Sequence, residues 1–112
     1  MNDRMDHAKE VDDLLQSLWV KHYPTLVERV TLIRNAKDKL DGNSLDNQAR
    51  KAGEEAAHKL AGILGTFGLP RGSVLASKIE ALLAADPSAC AQRAGELGSW
   101  VQELEMVIAS RR

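Results

Sequence analysis

Cysteine is all but missing from this chain of 112 residues: Cys90 stands alone, so no disulfide can close within it and no thiol pair can hold a metal. Aromatic rings are nearly as scarce, with only Trp19, Tyr23, Phe67 and Trp100. A core so poor in rings has to be filled by Leu, Val, Ile and Ala, the usual filling of helix bundles. No apolar run approaches the ~18 residues of a membrane span. Met1–Glu10 is polar where a secretory signal would carry its apolar stretch, so a cytoplasmic location is expected. Neither sign of charge prevails, since fifteen basic and sixteen acidic residues leave a formal net charge of −1. Without a basic patch or a polybasic run, neither nucleic acid nor a membrane surface is an expected partner. The chain also lacks a glycine-rich loop ending in Lys-Ser or Lys-Thr, and with it a nucleotide site. No segment alternates with period two between hairpin turns, so no sheet is expected.

What the chain does have is helical periodicity, cut into lengths by turn residues. Val11 to about His22 carries Val11, Leu14, Leu15, Leu18 and Trp19, a short amphipathic helix. Pro24 sits comfortably at the start of a helix but not inside one. The next helix is therefore expected to run from there to about Leu40, with Leu26, Val30, Ile33 and Leu40 on one side and Val27 beside them. Asp41-Gly42-Asn43-Ser44 is a turn, and either Ser44 or Asp46 can cap the third helix, which ends near Gly68. Pro70 is placed to open a fourth helix that buries Val74, Leu75, Ile79, Leu82 and Leu83. Asp86-Pro87 restarts the chain as a cap followed by a first-turn proline. From there one last helix is expected to reach about Ser110, with Cys90, Ala94, Leu97, Val101, Leu104 and Ile108 along its seam and Cys90 as a small core residue. The expected fold is all-α: an antiparallel up-down four-helix bundle with a short additional N-terminal helix. Residues 1–10 read as a polar N-terminal segment that could be mobile, and 11–112 as a single helical domain.

One residue on the third helix stands apart. Ala49, Ala56, Leu60, Ile63, Leu64 and Phe67 form its apolar stripe, and at about 100° per residue His58 lies about 160° from Leu60, nearly opposite. Gly62 and Gly65 follow at four and seven residues and share the His58 face. Each glycine in a helix costs about 1 kcal/mol relative to alanine, so two of them on a solvated face need a reason. Close approach of a partner to the backbone beside an exposed imidazole supplies one. His7 and His22 have no such setting and read as incidental. No group of His, Cys, Asp and Glu has metal-ligand spacing, and Glu54 with His58 reads as a surface pair one helical turn apart.

The run Ala57-His58-Lys59-Leu60-Ala61-Gly62-Ile63-Leu64-Gly65-Thr66-Phe67-Gly68-Leu69, followed by Leu75 and Ile79-Glu80, resembles the histidine phosphotransfer domain of bacterial two-component phosphorelays. His58, Leu60, Gly62, Gly65, Gly68, Leu75 and Glu80 fit that family's pattern in order. The resemblance implies a phosphorelay intermediate in which His58 accepts a phosphoryl group from a receiver-domain aspartate and passes it to another. It also implies partners in response-regulator receivers or a hybrid sensor histidine kinase, and a chain working as a monomer. The chain itself would need no cofactor, with Mg²⁺ carried by the receiver. The family's usual lysine three residues after the histidine is Ala61 here, and Ile63 stands where small residues are common. Lys59, Arg71 and Lys78 are the cations that could take the lysine's place, while Gly62 and Gly65 would admit the partner. Glu80 fits the pattern, but a solvated or networked carboxylate is at least as good a reading of it as contact with the site. Two rival functions remain: a transfer-impaired adaptor that still binds receiver or kinase domains, suggested by Ala61, and a structural bundle that self-associates through the Cys90–Ile108 helix.

Overall fold

The computed structural model describes residues 3–111. Five helices follow one another: α1 Asp3–Asp41, α2 Asn47–Thr66, α3 Pro70–Ala84, α4 Pro87–Gln92 and α5 Ala94–Ser110. No strand occurs among the described residues. Packing runs in a ring, α1 against α2, α2 against α3, α3 against α5, and α5 back against α1. This is the up-down four-helix bundle that the apolar periodicity and short links lead one to expect. Its interior holds Leu26, Ile33, Leu60, Leu64, Leu75, Ile79, Leu83, Leu97, Val101 and Leu104, all fully buried.

The turn chemistry works largely as the sequence suggests. Asp46 Oδ1 accepts from the Ala49 N–H at 2.7 Å, and Asp86 Oδ1 accepts from the Ala89 N–H at 2.9 Å. Each satisfies an amide that the first turn of its helix leaves without a partner. Ser44 does not cap; its hydroxyl donates to the Lys39 carbonyl at 3.3 Å. At the end of α2, Gly68 takes φ +72 while its N–H bonds to the Gly65 carbonyl and the Leu69 N–H reaches back to Leu64. That pair of bonds around a left-handed residue is a Schellman stop, and it favours glycine. Pro70 then opens α3, where a missing N–H costs nothing.

Two expectations about the helices are corrected. The short helix ending near His22 and the break at Pro24 do not exist: α1 is one helix of 39 residues with Pro24 inside it. Pro24 removes only the bond to the Val20 carbonyl, and both residues lie on the exposed side of α1, where water can replace that bond. On the opposite side Trp19, Leu26, Ile33 and Ala36 are all buried, and burial of this continuous seam holds the helix together through the proline. The single last helix is in turn divided at Arg93 (φ −110, ψ 20), whose N–H is shared between the Ala89 and Cys90 carbonyls at 3.2 Å each. The Cys90 thiol donates to the Leu82 carbonyl at 3.0 Å and fastens α4 to the end of α3. The apolar seam survives the break: Cys90, Leu97, Val101, Leu104 and Ile108 are buried. Burial pushes the Cys90 thiol pKa up, as expected for a core thiol.

At about 1.5 Å per residue α1 is about 58 Å long and α2 about 30 Å, and the molecule measures 61 × 20 × 18 Å. The first helix therefore outruns the bundle at its N-terminal end. Trp19 marks where the bundle begins, its ring 5.2 Å from that of Phe67 in an edge-on arrangement. The Arg111 guanidinium lies 5.3 Å from the Trp19 ring and 5.9 Å from the Phe67 ring. Of the polar segment 1–10, residues 3–10 belong to α1 and the first two lie outside the described residues.

Candidate functional site

The α2 helix holds its stripe inward and His58 outward. Leu60 and Leu64 are fully buried, whereas the His58 side chain is 74% exposed. Its ring is nonetheless fixed on one side: Nδ1 lies 2.8 Å from Oε2 of Glu80, which projects from α3. An ionised carboxylate can only accept, so the hydrogen of a neutral imidazole sits on Nδ1 and the lone pair on Nε2 faces solvent. The pair spans α2 and α3, and the close packing of these two helices sets its geometry. Gly53 permits that approach, since a Cβ there would lie 3.1 Å from Leu83 Cδ1. At the other end of the interface the Ser73 hydroxyl donates to the Ala61 carbonyl at 2.7 Å.

Beside the imidazole the backbone is open. A Cβ on Gly62 would meet nothing within 4 Å, and one on Gly65 only the Ser73 hydroxyl at 3.7 Å. The bundle itself therefore does not require either glycine. On the resemblance's reading of His58 as phosphoacceptor, Gly62→Gln is expected to keep the helix content of the wild type yet slow phosphoryl transfer roughly tenfold, the equivalent of about 1.4 kcal/mol in the barrier. Equal transfer rates for the two proteins would remove the steric role assigned to this strip.

The candidate cations separate. Lys59 lines a shallow depression together with Glu54, Glu55, His58 and Glu80. Arg71 turns to α5 instead, where Nε and a terminal nitrogen donate to the two carboxylate oxygens of Glu103 at 2.5 and 2.9 Å. That hydrogen bonding holds the Glu103 carboxyl below the usual carboxylate range. Lys78 also faces α5, its ammonium 5.8 Å from the centre of the Trp100 ring, with Arg93 5.4 Å from the same ring. Ala61 is half-buried and places only a methyl group one turn beyond His58. Glu54 does not pair with His58; it lies 3.6 Å from the Arg50 guanidinium. Sequence reasoning left Glu80 undecided and gave Glu55 no role, although the first is a hydrogen-bond partner of His58 and the second lines the depression. Only the register of α3 against α2 brings Glu80 to the imidazole, and a helix read alone does not contain that register.

A protein-family model matches residues 5–110, nearly the whole chain, and its description is the Hpt domain. The chain belongs to the Hpt domain family. Comparison with curated proteins gives no match, and comparison with solved structures gives none either. Hpt domains carry out histidine phosphotransfer in two-component phosphorelays, interacting there with receiver domains and kinases. Among the described residues no group of His, Cys, Asp and Glu is placed to hold a metal ion, and no helix is long and apolar enough to cross a membrane.

In this Hpt domain the Glu80 bond holds the His58 ring in one orientation. With Glu80→Gln the ring loses a charged acceptor and with it the preference for one tautomer and one orientation. An exposed pair of this kind contributes little to folding, so Glu80→Gln should stay within about 0.5 kcal/mol of wild type in thermal stability. With His58 as the phosphoacceptor that the resemblance implies, a ring no longer held in one tautomer and orientation is expected to transfer about tenfold more slowly, the equivalent of about 1.4 kcal/mol in the barrier. Rates measured with one receiver in both directions check this; an unchanged rate would reduce Glu80 to a surface carboxylate.

Proposed function

We propose that this chain is a phosphorelay intermediate that takes a phosphoryl group from a receiver-domain aspartate onto His58 and passes it to another receiver aspartate. The observation that carries this reading is the ring itself, three-quarters exposed, tied through Nδ1 to Glu80 and flanked by bare backbone at Gly62. In the accepting step the Nε2 lone pair attacks phosphorus, the bond from phosphorus to the aspartyl oxygen breaks, and its electrons return to the receiver carboxylate. The product ring keeps its Nδ1 proton, shared with Glu80, so no proton has to move during transfer. The donating step reverses the path, and the electrons of the P–N bond return to Nε2 of a neutral imidazole, a better leaving group than an imidazolide. Histidine suits the task because an imidazole can offer one ring nitrogen as a nucleophile while the other keeps its proton.

Phosphoryl transfer depends mainly on positioning and charge stabilisation. In this reading the receiver brings the acidic pocket, the Mg²⁺ and the aspartate, while the Hpt domain brings an aligned ring and a surface that a partner can approach. The test is to offer the protein phosphorylated receivers and a cognate kinase, look for acid-labile, alkali-stable phosphate, and locate it by phosphorus NMR. Phosphate on Nε2 is expected. Failure to label with several cognate receivers and the kinase, while binding persists in His58→Ala, would instead make the chain an adaptor; phosphate on Nδ1 would overturn the part assigned to Glu80.

A further inference from the structure

The depression around His58 holds three carboxylates, Glu54, Glu55 and Glu80, against one ammonium, Lys59. These groups are not equivalent. Glu80 is engaged with Nδ1. Glu54 is partly neutralised by Arg50, which is itself anchored by donating to the Leu83 carbonyl at 2.9 Å. Glu55, one turn before His58 and exposed, has no ion-pair partner among the described residues. Of the nearby cations, Arg71 is bound to Glu103 and Lys78 lies over Trp100; Arg29 of α1 lines a neighbouring groove with Glu55 and Lys59, and Lys51 is one turn before Glu55, about 6 Å along the axis, but neither forms an ion pair with it. A phosphoryl group on Nε2 adds a charge of about −1.5 to −2 to a surface that is already acidic.

From this charge pattern, and resting on the phosphorelay reading above, we propose that the carboxylates beside His58 weight the transfer equilibrium against phosphohistidine. The chain is then a high-potential carrier that gives up its phosphoryl group readily and stores little of it. When the group leaves, the P–N bond breaks with its electrons returning to Nε2, and a new P–O bond forms to the receiver carboxylate. Once the partners separate, the aspartyl phosphate no longer feels Glu54 and Glu55, so repulsion acts on one side of the equilibrium only. Docking affinity does not enter the final ratio of phosphohistidine to free phosphoaspartate, which depends on the stability of the two products.

The charges involved set the size of the effect. A doubly charged group and one carboxylate about 7 Å apart, in water-like dielectric and partly screened by salt, change an equilibrium by about threefold to tenfold. The experiment brings wild type, Glu55→Gln, Lys59→Gln and the remote control Asp13→Asn to equilibrium with the same phosphorylated receiver and reads the phosphohistidine-to-phosphoaspartate ratio. The side chains replaced are all exposed, and circular dichroism verifies that each variant folds. Glu55→Gln is expected to raise the ratio about threefold to tenfold, Lys59→Gln to lower it by a similar factor, and Asp13→Asn to leave it unchanged. Salt near 1 M, with a Debye length of about 3 Å, should compress these differences. Ratios for Glu55→Gln and Lys59→Gln equal to that of wild type, in proteins that all carry phosphate, overturn the inference alone. Absence of phosphate on every protein overturns the phosphorelay reading beneath it.

Discussion

His58→Gln is expected to give a folded protein that takes up no phosphate from a receiver that labels the wild type. Glutamine keeps a polar side chain of similar reach and has equal or better helix propensity, but its amide nitrogen is not a nucleophile. Because the His58 side chain is 74% exposed and its partner Glu80 retains 32% exposure, the substitution buries no polar group and opens no cavity. Surface changes of this kind fall within about 0.5 kcal/mol, so the melting curve should superimpose on that of the parent to within a few degrees. Radiolabel transfer measured beside a thermal melt separates loss of chemistry from loss of fold. Uptake equal to wild type would move the phosphorylated residue elsewhere. His22, half-buried on α1, is a poorer acceptor than the exposed ring of His58.

Local chemistry written into consecutive residues was legible in the sequence; what depends on one helix meeting another was not. The outward placement of His58 followed from the spacing of Leu60, Ile63 and Leu64 alone. The caps at Asp46 and Asp86 and the stop at Gly68 are likewise short-range hydrogen-bond devices, complete within six residues. Pro24 shows the limit of such reading. Its intrinsic cost in a helix, about 3 kcal/mol, argues for a break, yet burial of Trp19, Leu26 and Ile33 along one uninterrupted face decides for continuity. The division at Arg93 has the opposite origin: helical periodicity persists across it, but the Cys90 bond to Leu82 ties α4 to the end of α3. Glu80 is legible as a polar residue of α3, while its partner depends on the register of two helices that bring together residues 22 apart in sequence. The cations escaped for the same reason. Lys78 and Arg71 share a helix with Glu80, and only the position of α5, with Glu103 and Trp100, shows that they turn away from the imidazole.

Glycine on a helix can serve two unrelated purposes, and α2 contains both. Gly53→Leu is expected to destabilise the bundle more than any substitution on the His58 face. A Cβ at that position would already stand 3.0 Å from Ala36 Cβ and 3.1 Å from Leu83 Cδ1, so the rest of a leucine has no space between α1, α2 and α3. Over-packing of a buried site costs about 1–3 kcal/mol and sometimes more. The gain of up to about 1 kcal/mol in helix propensity offsets only part of this for a side chain so much larger than the available gap. A net loss of about 2 kcal/mol would lower the melting temperature by roughly 6–14 °C for a domain of this size. At Gly62 the same reasoning changes sign: a methyl group meets nothing within 4 Å, and Gly62→Ala should raise stability by up to about 1 kcal/mol. Thermal melts of the two variants beside wild type measure the contrast directly. Stabilisation by both would mean that α1 and α2 do not close on one another at Gly53. Opposite shifts would separate the glycine that lets the helices close from the one that leaves the His58 face open, and only the second has to answer to a partner.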